Sequence, residues 1–426
     1  MGKLQRSVSI VGIGFTPLGK TASTPELKDL SERELLSWAA IEAYDDCGIR
    51  AKDIEAFYVG MSGPNYNSKM KSAGPHFTEW VGLRNRPGMF HDEACGSQAF
   101  GLNAAVGAVA SGMYDAVLVG AVNINSTMPV KGGYPHHLRK KMSHDEMWDT
   151  IWTGYDSDHE KVFNPGALDA AAVAYCKEYG VTPEDLQEAY ITYMIHEREQ
   201  VLHNPKAIMQ KETFAQEAKR FGFDDPREYL RDPRFNPPMG TVIRGRHLGL
   251  SGVDGASVAI VCATEKAWEY TDKPIEVAGI STCSAPQRSF TTYPYKFYTD
   301  MVNKAYDMAG ITDPYNEIQL MQCMDAPPTN ILWWAEGAGY IRPGETWKYM
   351  RDWKIGYDGE KPINTNGGLG QHGHCLSPSW MTQVAEVVHQ MRGQAGDLQI
   401  PTPPKAAAVM GGGGGYNNGF AVFRAL

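Results

Sequence analysis

Cys95 stands in the stretch His91-Asp92-Glu93-Ala94-Cys95-Gly96-Ser97-Gln98, just ahead of an Ala- and Gly-rich segment, about Ser97 to Ser111, that reads as a helix. A thiol at a helix N-terminus faces unpaired backbone N–H groups and the positive end of the dipole. Both favour thiolate, the form that attacks carbonyl carbon. A lone cysteine is more often a small buried core residue, so position alone leaves both readings open. A second chemical stretch is Asn364-Thr365-Asn366-Gly367-Gly368-Leu369-Gly370-Gln371-His372-Gly373-His374-Cys375. Glycine permits close backbone approach to a ligand, and histidine titrates near neutrality. A cysteine nucleophile needs a base from elsewhere in the chain, and this loop supplies one. A metal site from His372, His374 and Cys375 is disfavoured, because the spacing is not a standard pattern and no further ligand clusters nearby. Finally, Gly411 to Gly415 are five consecutive glycines between two strand-like runs. They are either slack or a tight corner that aims N–H groups at a substrate oxygen.

The elements that must position these residues follow from apolar pattern. Asp115 to Gly120, Val253 to Val261 and Phe420 to Phe423 read as buried strands, and Ser379 to Arg392 as a helix after the histidine loop. A weak repeat is present. Ala43-Tyr44-Asp45-Asp46-Cys47-Gly48-Ile49 precedes a strand at Ile54 to Val59, and Ala305-Tyr306-Asp307-Met308-Ala309-Gly310-Ile311 precedes one at Ile318 to Met321. In each copy a helix ends at a glycine, the expected left-handed cap. Upstream of each helix lies another strand, Ser7 to Gly12 and Ile275 to Ile280. Two halves that each begin strand, helix, strand predict a duplicated α/β fold. The segment from Asn125 to Arg246, with Trp148, Trp152, Tyr155 and a helix at Pro183 to Arg198, is too long for a loop and reads as an inserted cap that shapes a pocket.

Composition bounds the partners. With 426 residues the chain is too long for one simple core. Apolar residues at 42% and charged residues at 21% place it among ordinary globular proteins. A net charge of −9 without a long basic run argues against nucleic acid. The run Val8 to Phe15 is broken by Gly12 and Gly14 and reads as a first strand, not a signal peptide. No run approaches the length of a membrane span. The seven cysteines are scattered, odd in number and without a CxxC pair. That argues against a disulfide scaffold or structural zinc and for a reducing, cytoplasmic home.

Together these stretches resemble the thiolase superfamily from Ser7 to Phe423, in the branch of sterol-carrier-protein-type thiolases and thiolases that work with a small zinc-ribbon/OB-fold partner subunit. Cys95 falls where that family has its nucleophile. Gly367-Gly368-Leu369 with Gly373-His374 matches its GGL…GHP motif, which implies His374 as the activating base. Gly411 falls in the C-terminal Gly-rich loop whose amide, with the Cys95 amide, would form an oxyanion hole. Leu202-His203-Asn204-Pro205-Lys206-Ala207 resembles the NPxA-like stretch of the family's loop domain. The resemblance implies a thiolase fold of two similar α/β halves in layered αβαβα order, usually dimeric. The expected units are residues 1–124 with 247–270, an inserted cap at 125–246, and 271–426. The implied activity is thiolytic cleavage of a 3-oxoacyl-CoA through an acyl-thioester on Cys95, with coenzyme A as co-substrate, no redox cofactor and no metal in this chain.

Departures from the family pattern bear on the substrate. Met324-Asp325-Ala326-Pro327 stands where the branch has His-Asp-Cys-Phe or His-Asp-Ala-Phe, and Met324 cannot donate a hydrogen bond. Val409 stands at the family's second cysteine, and Cys375 at the proline after the histidine. Cys375, Cys323, His372 and Asp325 are the candidates to handle the α-carbon proton, with Cys375 nearest the motif. Trp333, Trp334, Trp347, Tyr349 and Trp353 read mostly as core, with a pocket for a bulky acyl group as the alternative. Aromatic content and altered enolate residues fit a thiolase like those that cleave 2-benzoylsuccinyl-CoA in anaerobic aromatic degradation, a heteromeric type. A generic acetyl-CoA acyltransferase, a retro-aldol lyase acting on acyl-CoA side chains and a non-catalytic scaffold are the other readings.

Overall fold

A strand buried on both faces must be apolar along its whole length, and the first strand, β1 (Val8–Phe15), has no exposed position. In this computed structural model residues 4–62, 72–126, 168–248, 253–284, 298–413 and 417–426 are described. After β1 come α1 (Glu32–Cys47), β2 (Ala56–Gly60), α2 (Ala73–Trp80), β3 (Gly88–His91), α3 (Ser97–Ala110) and β4 (Ala116–Asn123). Among the described residues, four helices then intervene: α4 (Leu168–Tyr179), α5 (Pro183–Val201), α6 (Phe214–Arg220) and α7 (Pro226–Arg231). The rest runs β5 (Gly255–Ala263), β6 (Ile275–Ser284), α8 (Thr299–Ala309), β7 (Leu320–Cys323), α9 (Thr329–Gly337), α10 (Thr346–Arg351), α11 (Ser379–Arg392), β8 (Ala406–Gly413) and β9 (Asn417–Ala425).

The strands are hydrogen-bonded in the order β3-β2-β4-β5-β1-β6-β9-β8-β7. That order repeats on either side of the β1–β6 junction, with β3 the one strand that has no counterpart in it. On one side β2 is parallel to β4, and β5 is antiparallel to both β4 and β1. On the other β7 is parallel to β8, and β9 is antiparallel to both β8 and β6. The two arms join where β1 meets β6 antiparallel, at Ser9 opposite Glu276 and Ile10 opposite Ile275.

The sequence repeat is a structural one down to its irregularities. The register of β1 shifts between Ile10 and Gly12, and that of β6 between Val277 and Gly279. In both cases the glycine after the bulge lies against the backbone carbonyl of the helix that follows. A Cβ on Gly12 would collide with Ala43 O, and one on Gly279 with Ala305 O, the equivalent residues of the repeat. Each helix ends at the expected left-handed glycine, Gly48 at φ 71° and Gly310 at φ 70°.

Three apolar cores define the layers. α1 packs on the outer face of one arm through Val11, Leu35, Leu36 and Ala39. α8 packs on the outer face of the other through Ala278, Met301, Val302 and Ala305. Between the arms, Ile10, Tyr58 and Val119 of one and Val277, Val409 and Phe423 of the other meet α3 and α11 through Leu102, Val106, Val384 and Val388. This is the αβαβα arrangement of a thiolase fold. It sets α3 and α11, each preceded by a chemical motif, side by side in the middle layer.

The insertion between β4 and β5 is helical where described. α5 starts at Thr182, whose hydroxyl accepts from Asp185 N, with Pro183 in the first position. It runs to Val201, one turn beyond the expected Arg198. Asp254, fully buried, accepts from Thr21 N at 2.6 Å and from the amides of Asn125 and Ser126 at 2.6 Å, pinning the point where the insertion leaves. Trp148, Trp152 and Tyr155 lie outside the described residues. Trp333 and Trp334 are core residues, and Trp347, Tyr349 and Trp353 pack against the same core. No helix among the described residues is long and apolar enough to cross a membrane.

Gly279→Val should push α8 off β6 and lower stability by about 1–3 kcal/mol. Gly107→Ala, at an exposed position of α3 with open space around it, should instead stabilise by about 0.5–1 kcal/mol. Thermal midpoints of the two variants check the contrast. Equal midpoints would remove the argument for close strand–helix approach.

Candidate active site

Cys95 stands on a tight turn between β3 and α3. Ala94 adopts φ 50°, a left-handed conformation costly for a residue with a side chain. It is held by its own carbonyl, which accepts from Ser97 Oγ at 2.7 Å and Ser377 Oγ at 3.0 Å. Ser97 Oγ accepts in turn from Glu93 N at 2.8 Å. The turn packs against the β8–β9 end. A Cβ on Gly96 would come within 2.7 Å of Asn417 O, and one on Gly413 would collide with Glu93 O. Gly413 therefore stands at a close backbone approach and not in slack. Gly411 lies under Met324, whose Cγ would be 2.6 Å from an added Cβ, and Gly412 N donates to Met324 Sδ at 3.1 Å.

His374 reaches this turn from the far end of the chain. Its Nε2 is 3.2 Å from Cys95 Sγ, and its Nδ1 is 2.9 Å from Ser379 Oγ. Burial pulls His374 down to about 4, so the ring is neutral near pH 7. Ser379 Oγ also accepts from Cys375 N at 2.9 Å and lies 3.6 Å from Cys375 Sγ. A hydroxyl has two lone pairs and one proton. In the tautomer with the proton on Nδ1, Cys375 N–H and His374 Nδ1–H fill the hydroxyl's lone pairs, its proton faces the Cys375 sulfur, and the Nε2 lone pair of His374 faces Cys95.

The loop that delivers His374 needs its glycines. Gly367, Gly368 and Gly373 have φ of 96°, 54° and 127°. Gly368–His372 forms a π-helical turn. The segment after α5 straps it down: Asn204 Nδ2 donates to Asn366 O at 2.9 Å, and Ile208 N to His372 O at 3.0 Å. Lys206 pairs with Glu42 and sits over the Phe15 ring, 4.1 Å from its centroid.

Around Cys95, itself 5% exposed, Met324, Leu369 and Leu376 form an apolar cluster with Ala326. The four candidates for the α-carbon proton are placed differently. Cys375 is fully enclosed by Leu18, Val253 and Ile208 and is pushed up to about 12 by burial, so it stays a thiol. Cys323 is also fully enclosed and pushed well up. His372 turns its Nδ1 to Asn366 Nδ2 at 3.3 Å and its ring edge to Phe15, and burial brings it to about 4. Asp325 accepts from Leu369 N at 2.7 Å and Tyr193 Oη at 2.6 Å. Among the described residues no group of three His, Cys, Asp or Glu could hold a metal ion. Sequence reasoning missed Ser97, Ser377 and Ser379. Their signal was a serine two positions after Cys95, and two more in the five residues after His374.

The chain matches the thiolase N-terminal domain over residues 8–265 and the thiolase C-terminal domain-like family over residues 285–424. It is 27% identical over 401 residues to an acetyl-CoA acetyltransferase of Methanothermobacter thermautotrophicus, covering 93% of each chain. It is 25% identical over 410 residues to a benzoylsuccinyl-CoA thiolase subunit of Thauera aromatica, covering 95% of this chain and 94% of that one. Among solved structures, an Ltp2-ChsH2(DUF35) aldolase superposes with a TM-score of 0.72 over 98% of both chains at 18% identity, which shows the fold. Family match, layered fold and acyltransferase relatives agree: the chain belongs to the thiolase family.

Proposed function

We propose that this protein transfers an acyl group between a 3-oxoacyl-CoA and coenzyme A through a thioester on Cys95. The observation that carries the reading is the 3.2 Å contact between Cys95 Sγ and the Nε2 of a neutral, half-buried His374. His374 takes the thiol proton, and the sulfur electron pair attacks the keto carbonyl. The amides of Cys95 and Gly411 hold the developing oxyanion. The C–C bond then breaks, its electron pair leaving as the enolate of the shorter acyl-CoA. The His374 imidazolium returns its proton to that carbon. Coenzyme A gives its thiol proton to His374 and its sulfur takes the acyl group; the Cys95–acyl bond breaks, and the released Cys95 sulfur takes the proton back from His374. Cys375 acts through Ser379: its thiol accepts the Ser379 proton and keeps the hydroxyl turned toward His374.

Met324, Leu369, Leu376 and Ala326 supply no charge to pair with the acyl group, which favours an apolar acyl such as benzoyl or acetyl. Benzoyl transfer from 2-benzoylsuccinyl-CoA is the specific candidate, supported by the Thauera relative. Acetyl transfer is the second reading, supported by the archaeal one. The same proposal includes a homodimer core, a small zinc-ribbon/OB-fold partner subunit, no metal in this chain and a cytoplasmic setting. Exposed Met89 and Trp80 beside β3, at the end of the sheet, support self-association. The DUF35 component of the aldolase neighbour supports a partner, and seven cysteines with no disulfide support a reducing compartment. The expected division into 1–124 with 247–270, 125–246 and 271–426 is supported by α4 to α7 falling between β4 and β5.

Intact-mass spectrometry after mixing with benzoylsuccinyl-CoA and acetoacetyl-CoA, any partner retained, should show an acyl adduct that Cys95→Ala lacks. His374→Ala should slow acylation by about 10²–10⁴-fold, and Ser379→Ala by about ten-fold, one hydrogen bond's worth. An adduct that persists in Cys95→Ala would end the thioester mechanism. The acid limb of the acylation rate should lie near pH 4, well below the ordinary histidine value of 6.5, because the base works while neutral and is lost as pH falls through its folded pKa. A limb at pH 6–7 in stopped-flow measurements would contradict a buried base.

A further inference from the structure

Beneath the glycine turn of the histidine loop lie two carboxyl groups that the mechanism does not use. Glu197 comes from α5 and Asp325 from the segment after β7, and both are buried. A Cβ on Gly368 would strike Asp325 Oδ2 and Glu197 Oε1 together, so the two oxygens flank one point. Glu197 Oε2 would be 2.9 Å from a Cβ on Gly370.

Counting protons shows the charge they carry. Tyr193 Oη is 2.6 Å from Asp325 Oδ2 and 3.0 Å from Glu197 Oε1. It also accepts from Asn364 Nδ2 at 3.2 Å. The orientation of that amide is set by its other end, where Asn364 Oδ1 accepts from Cys323 N at 2.8 Å. A phenol has one proton and two lone pairs. Asn364 occupies one lone pair, so the single phenol proton serves one carboxyl, and the other makes its contacts by holding a proton of its own, toward the phenol oxygen or the facing carboxylate. Asp325 already accepts Leu369 N–H at 2.7 Å and makes the shorter phenol contact, as a carboxylate does. Glu197 is therefore the acid.

We propose that Glu197 and Asp325 share a single proton as a positioning pair that ties α5 to the histidine loop. Through Leu369 N and the Gly368 turn the pair sets the height of that loop. The loop in turn places Leu369 in the apolar wall at Cys95 and His374 just beyond the turn. Burial and the neighbouring Asp325 charge both push the Glu197 carboxyl up, which agrees with the proton count. The groups facing the pair are Tyr193 and Arg198 from α5, Cys323 at the end of β7, and the Leu369 amide of the loop. Tyr193 and Cys323 are pushed well up and stay neutral. Arg198 turns its guanidinium to Gln371 Oε1 at 2.5 Å. Loss of the shared proton would leave two like charges under a turn with no room to spread, and would lift the loop.

The test uses Glu197→Gln, Glu197→Ala and Asp325→Asn in the full chain, read by alkylation of Cys95 with iodoacetamide against pH and by infrared spectra near neutral pH. It rests on the Cys95–His374 pairing but needs no acyl-CoA. If acyl transfer fails while these results hold, the proposed function falls and the pair stands. Glu197→Gln, whose amide donates as the acid does, should keep the wild-type alkylation rate at pH 7 and lose its alkaline decline. Glu197→Ala and Asp325→Asn should slow alkylation by about ten- to hundred-fold, as for a misplaced catalytic group. The wild-type spectrum should hold a carboxylic-acid band that Glu197→Gln lacks. Equal loss in Glu197→Gln and Glu197→Ala, or no band difference, would overturn the proposal. Should Glu197→Gln fail to fold, Tyr193→Phe replaces it. That variant keeps the proton but removes the bridge, so the same band should move; an unmoved band overturns the proposal.

Discussion

Everything at this site depends on one contact between residues 279 positions apart, the Cys95 thiol and the His374 ring. Burial holds that ring neutral, the state in which an imidazole can accept a proton. The physical demand is severe: an imidazole must be taken out of water, kept uncharged, and still aimed to a few tenths of an ångström. Only a rigid layer of packed helices and strands on both sides can meet it. Bringing α3 and α11 together between two arms of one sheet is how this chain does so.

The scaffold is symmetric and its use is not. The bulges before Gly12 and Gly279, the glycine contacts to Ala43 and Ala305, and the left-handed caps at Gly48 and Gly310 show one design used twice. The loops leading into the two middle-layer helices have diverged. One presents a strained cysteine turn, and the other a glycine-rich turn that carries His374. The duplicated frame supplies rigidity, and the two loops bring the thiol and the imidazole together.

The histidine loop takes its shape from glycines that its backbone angles require, and Asn364, Asn366 and Gln371 tie it down with their own side chains. Further support comes from outside. Asn204 and Ile208 strap it from the segment after α5, Asp325 holds its Leu369 amide, and Ser379 locks the ring. The described part of the insertion therefore shares in holding the loop that carries His374, coupling it to the site through hydrogen bonds.

Much of this was legible in the residues. The repeat could be read because a helix must end somewhere, and a glycine with nothing in its way is the local solution at both Gly48 and Gly310. The chemical motifs could be read because Cys95 and the Gly367–His374 stretch are local patterns of unusual composition. What the sequence by itself determined was the set of elements, the duplication and the two stretches that carry Cys95 and His374, since each follows from short-range pattern. Only the tertiary structure decided that Ser379 orients His374, that Cys375 is enclosed behind it, that Met324 covers Gly411 and that Glu197 meets Asp325. The physical reason is that hydrogen-bond partnership and burial are properties of surroundings. Glu197 on an amphipathic helix looks like any solvated acid until a strand end more than a hundred residues away closes over it.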